Sequence, residues 1–417
     1  MLKGRSLAVL MALAVTGLLL AAAGASANPI VLPTLTNEIA KQDAIVAAHQ
    51  NLNPPAPPCP ENGMLPEPFS NCGLPEAPAT TLPYPTPMAY WGGHVQTAPK
   101  VYVVYFGWGE PGAFPAGTAC KNEKLKEGAL KATLQCDPEG AGKRIADFVQ
   151  QMGGTEWAGV STQYFQNGPS GEEHITNPSD VLAGIWVDNK NPGDLSKTSS
   201  AAAPGAENTY TDLGAEAARA AKHFHVTDLA NADFVIAQPQ DFSDPNAYKS
   251  GYCAFHDYLE PNVEKGIYNG LTAGISYTNM PYVTKIENEG ASVCGVNAVN
   301  AGAAGKLDGV TIVVGHEIEE TITDPGAEDI VGSGETQKNL GGWYDALDAN
   351  ENGDKCAWVG EPLTGPIPGG PQVLPIPGAM GDIKGNEGTT FAVQALWSNE
   401  AAGGTGYCAG AGTNLPG

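Results

Sequence analysis

Hydrophobic positions along the chain alternate between two periods. Short runs rich in β-branched and aromatic residues read as strands at Val101 to Phe106, Leu182 to Val187, Phe234 to Ala237 and Ala273 to Tyr277. Between them, apolar residues recur at helical spacing: Ile145, Phe148, Val149 and Met152, ending at Gly153-Gly154, then Leu213, Ala217, Ala220 and Phe224. This alternation predicts an α+β fold in which helices pack on a mixed or parallel sheet. One more apolar run predicts a helix with Asp308 as its cap and Val310, Val314 and Ile318 buried. Asp324-Pro325 should end it, because proline disfavours helix at the residue before it.

The N-terminus sets the compartment. Lys3 and Arg5 precede an apolar stretch from Leu7 to Ala23, and Ala25-Ser26-Ala27 gives a small-residue cleavage pattern, so residues 1–27 read as a secretory signal. Residues 28–88 are rich in proline and small side chains, which suits an extended arm or propeptide without a core of its own. Residues 89–417 read as one elaborated domain. No later stretch is apolar for the length of a membrane span, which predicts a secreted protein with no membrane association after signal cleavage.

Eight cysteines in an exported chain favour disulfides. Neighbour pairing, the simplest arrangement, joins Cys59 to Cys72, Cys120 to Cys136, Cys253 to Cys294 and Cys356 to Cys408, with other connectivities open. A formal charge of -24 argues against nucleic acid as a partner, since the phosphate backbone demands a positive field. No G-x-S-x-G elbow or phosphate loop occurs.

Candidate chemistry concentrates at Val310 to Pro325, where His316, Glu317 and Glu320 form H-E-x-x-E. On a helix, residues four apart share a face, so His316 and Glu320 converge where a divalent metal can sit. Glu317 then stands where helical metalloproteases keep their general base. A catalytic zinc ion needs three protein ligands, so a third must come from elsewhere. Asp324 lies about 12 Å further along a straight helix than His316, too far to share one ion, and reads as a helix-end residue. The acidic stretch Gly341 to Cys356 offers Glu351 first, then Asp345 and Asp354; His256 is a further candidate, though a core hydrogen bond suits it better. Asp348, Asn350, Asn352 and Asp354 also resemble the oxygen donors of a calcium loop, so Ca2+ stands beside Zn2+ as a candidate cofactor. His94, His223 and His225 have no partner pattern and suit surface or core roles. The Ala273 to Met280 strand is a candidate edge for an extended protein or peptide substrate.

His316-Glu317-Glu320, Thr323-Asp324-Pro325, Trp343-Tyr344-Asp345 and Glu351-Gly353-Asp354-Cys356 together resemble the secreted Exordium or phosphate-induced protein family, above all its microbial relatives. Gly92-Gly93-His94, Cys253 to His256 and Phe391 to Trp397 extend the likeness over most of the mature chain. Plant members do not keep the His and Glu pair. The chain is also distantly similar to zincin metallopeptidases, whose motif is H-E-x-x-H; here Glu320 replaces the second histidine, giving a harder site. The expected protein is a secreted zincin-like zinc peptidase, with His316, Glu320 and Glu351 as ligands and Glu317 as base. The alternative is a non-catalytic Exordium-like extracellular protein with a structural calcium site, binding a wall component or protein partner.

Overall fold

The computed structural model describes residues 87–115, 130–190, 192, 211–245, 247, 252–259, 274–289, 294–326, 341–345, 350–357, 380–404 and 406–411. Residues 1–86, which hold the expected signal and all but the end of the expected arm, and Cys120 and Asp348 lie outside the described residues, as do Cys59 and Cys72.

In chain order the first half carries β1 (Met88–Tyr90), β2 (Lys100–Phe106), α1 (Leu130–Cys136), α2 (Ala141–Met152), β3 (Phe165–Gly168), β4 (Gly171–His174), β5 (Leu182–Asp188) and α3 (Thr211–His223). There follow β6 (Ala232–Ala237), β7 (Phe255–Leu259), β8 (Ile275–Met280), α4 (Val283–Glu289), α5 (Asp308–Thr323), β9 (Trp343–Asp345), β10 (Met380–Lys384), β11 (Thr390–Gln394), β12 (Leu396–Ser398), α6 (Ala401–Gly404) and β13 (Tyr407–Ala409).

The largest sheet has the order β5-β2-β6-β8-β7. Four of its strands are parallel and β7 joins antiparallel at one end, so the fold is α+β with a mixed sheet. Parallel strands need cover on both faces, which accounts for their near-continuous apolar sequence. The period of two along β2 divides that cover. Val101, Val103 and Tyr105 join one core with Phe148 and Val149 of α2 and Val314 and Ile318 of α5. Val104 and Phe106 join the other, with Leu213, Ala217 and Ala220 of α3.

Two expectations change, and one strand has no counterpart among them. The Ala273 to Met280 strand is not an edge: β8 lies between β6 and β7, hydrogen-bonded on both sides, so it has no free backbone for a substrate. Asp308 does not cap its helix. It is the first helical residue, and its carboxylate instead accepts hydrogen bonds from the backbone N–H groups of Val299 and Asn300, tying down the preceding loop. The strand β7 has no alternating signal, because Phe255-His256-Asp257-Tyr258-Leu259 mixes polar and apolar groups that are buried alike through His256 and Asp257.

Two predicted bridges are present, Cys253–Cys294 and Cys356–Cys408. Cys136 is also bridged, to a residue outside the described set. In the chain-entropy picture, closing the 52-residue separation between Cys356 and Cys408 stabilises the fold by about 4 kcal/mol. Among the described residues no helix is long and apolar enough to cross a membrane.

Candidate metal centre

Every residue of α5 except His316 is buried. A helix buried on all sides belongs in a core, which is why its first half shows a run of β-branched residues rather than a stripe. Gly315 allows the close fit: a Cβ there would come 2.9 Å from the Trp157 ring and 3.1 Å from that of Phe148. The acidic side chains of this helix are thus carried inside the protein, where each needs a partner.

Glu319 points away from His316 and accepts a hydrogen bond of 2.5 Å from Ser161 Oγ; burial pushes its carboxyl up to about 8. The other two turn toward the histidine. His316, Glu317 and Glu320 each offer a donor atom within 4.8 Å of the others, with His316 Nε2 3.0 Å from Glu320 Oε1. The predicted convergence is therefore present in the geometry.

Residues 350–357 fold back against this face. Asp354 donates its backbone N–H to Glu320 Oε1 at 2.8 Å, and its Oδ1 lies 3.5 Å from His316 Nε2. Gly353 makes the approach feasible, since a Cβ there would lie 2.8 Å from Glu320 Oε1 and 2.9 Å from His316 Nδ1. The loop is held by Gln394 Nε2 donating to Gly353 O, by Trp397 N–H donating to Asn352 O, and by the Cys356 bridge.

The candidate third ligands separate in space. Glu351, the first choice from the sequence, groups with Glu320 and His256 rather than with His316, its Oε1 3.3 Å from His256 Nε2. Asp345 is engaged by Lys355 Nζ at 2.6 Å in a buried ion pair. Asp354 is the one that meets His316. Of the calcium-loop donors, Asn352 donates to Ser161 while Asp354 faces His316, so these two serve different partners. Asp324 takes the helix-end role: its Oδ1 accepts the Gly342 N–H at 2.6 Å, and burial pushes its carboxyl up to about 7.

His256 sits deeper in the site than the sequence suggests. β7 brings it across the sheet edge so that Nδ1 lies 3.5 Å from Glu317 Oε2 and 3.6 Å from Glu320 Oε2. Its Nε2 also faces Asp324 O at 3.2 Å, so the core hydrogen bond and the cluster contacts coexist. His256, Glu320 and Glu351 form a second group of donor atoms within 4.8 Å of one another. Burial alone pushes both imidazoles down, yet the surrounding carboxylates hold them well above their ordinary range. Glu320 is pushed by burial up to about 7, with His316 pulling the other way. Of the other described histidines, His223 stacks on Trp186 with ring centroids 4.3 Å apart, and burial lowers His94.

These buried His and Glu groups have the donor types and spacing to hold a metal ion. The group is most exposed on the loop side, where the Asp354 side chain is 45% exposed, against 3% for Glu320. In comparisons with known proteins, the chain matches no family model, no curated protein and no solved structure.

Proposed function

We propose that the protein is a secreted, zincin-like hydrolase that uses zinc to cleave peptide bonds. The observation that carries this reading is the meeting of His316, Glu317 and Glu320 donor atoms within 4.8 Å on one buried helix. Unpaired, such groups would be costly to bury.

His316, Glu320 and Asp354 would hold the ion, one imidazole nitrogen and two carboxylates, all ligand types that zinc accepts. Once bound, zinc supplies Lewis acidity, lowering the pKa of water and polarising the scissile carbonyl. Glu317 takes the proton from the attacking water and delivers it to the departing amine. His256 stands beside that base, its Nδ1 3.5 Å from Glu317 Oε2. The Asp354 N–H fixes Glu320 Oε1, so the ligand is aimed before anything binds.

Metal content of the purified chain, measured beside cleavage of an unfolded protein substrate, tests the reading. Stoichiometric zinc with chelator-sensitive cleavage supports it; a chain that takes up no metal refutes it. The dominance of carboxylates over imidazoles also suits a hard cation. Calcium alone, with loss of folding on chelation and no cleavage, would favour the non-catalytic Exordium-like reading.

A further inference from the structure

We propose that the centre holds two divalent cations rather than one, with Glu320 as a bridging carboxylate and His256 and Glu351 completing the inner site. This rests on the metal-hydrolase reading and extends it.

The two donor groups share one residue, Glu320, and divide its two oxygens. Oε1 faces outward to His316 Nε2 at 3.0 Å, and Oε2 faces inward to His256 Nδ1 at 3.6 Å. That is the disposition of a carboxylate spanning two ions, as in two-metal hydrolases, where the ions stand about 3.5–4 Å apart. The inner group is complete in number: His256, Glu320 and Glu351 supply one nitrogen and two carboxylates, and all three are buried.

Glu351 supplies an independent indication. Its Oε1 is buried and makes no hydrogen bond, although it points toward His256 Nε2 at 3.3 Å. A carboxylate oxygen sealed from water, whose nearest partner at 3.3 Å is not aligned for a hydrogen bond, is costly, and a cation is a partner that removes the cost.

Charge supports the count of ions. Glu317, Glu320, Glu351 and Asp354 surround two imidazoles, and the buried ammonium nearby, Lys355, is committed to Asp345. With both histidines acting as neutral ligands, one dication leaves two of the four carboxylate charges uncompensated in the interior, and a second dication neutralises them. Protonated imidazoles and carboxyls are the competing solution, and they predict a different stoichiometry.

The test uses the full secreted chain, stripped with chelator and reloaded with zinc or with Mn2+. Elemental analysis should give two zinc equivalents per chain, falling to one in Glu351→Gln, and the Mn2+ form should show the exchange-coupled resonance spectrum of a bridged pair. Near-ultraviolet circular dichroism checks that the variant is folded. Should Glu351→Gln fail to fold, the wild-type stoichiometry and spectrum decide alone. One equivalent in the wild type, or uncoupled Mn2+, overturns the inner site while leaving the single-ion hydrolase standing. No bound metal overturns both.

Discussion

Gly353→Ala isolates the contact between the 350–357 loop and the metal-binding face. Gly353 has φ -77° and ψ -49°, a conformation alanine adopts freely, so the backbone carries no penalty. The new methyl would instead lie 2.8 Å from Glu320 Oε1, 2.9 Å from His316 Nδ1 and 3.1 Å from His316 Cγ. Nor can the loop retreat easily, because Gln394, Trp397 and the Cys356 bridge hold it. Overpacking of this kind costs about 1–3 kcal/mol. Displacing the groups that orient ligands lowers metal affinity about 10–100-fold. Urea unfolding of the metal-free protein with disulfides intact reads the first quantity, and competition with a chromophoric chelator reads the second. Gly159→Ala is the control, since a Cβ there meets only Asn177 Nδ2 at 3.4 Å. If Gly353→Ala binds metal with wild-type affinity, whether or not stability falls, the loop does not press on the His316 and Glu320 pair and the reasoning fails.

Three further outcomes are expected. Glu317→Gln should retain the metal while turnover falls about 10²–10⁴-fold, the usual weight of a general base; steady-state cleavage beside metal analysis separates the two effects. His316→Ala should lose outer-site metal and cleavage together, and a variant that keeps both would remove His316 from the centre. Glu216, outside the site, is pushed by burial up to about 8 against the pull of Arg219, so the fold favours its protonated form. Its contribution is fully present below the unfolded value of about 4.5 and is lost as pH rises through about 8, and Glu216→Gln should flatten that decline in a series of denaturant titrations.

Much of the scaffold is legible because its signals are local. The strand at Val101 to Phe106, the helix ending at Gly153 and the helix from Asp308 all emerge from spacing alone, and the structure places them within a residue or a few of those bounds. What the sequence leaves hidden depends on contacts between distant segments. His256 reaches Glu317 and Glu320 only because β7 is the antiparallel strand next to β8, a pairing that no short-range pattern encodes. Glu351 and Asp354 are three positions apart on one loop, and composition cannot tell which faces His256 and which faces His316. Asp308 has the residue type and position of a cap, but the backbone amides of Val299 and Asn300 compete for its carboxylate and win. Asp324 reads as a helix-end residue from its position before Pro325, whereas its bond to Gly342 depends on the fold.

The covalent tie between Cys356 and Cys408 bears on timing. The histidine helix is synthesised well before the strand that anchors the opposing acidic loop, and that anchor closes only where thiols can be oxidised. Inside a reducing compartment the outer wall of the cradle lacks its covalent fastening and keeps only the Gln394 and Trp397 hydrogen bonds. On the proposed hydrolase reading, activity is thereby withheld until the cysteines join.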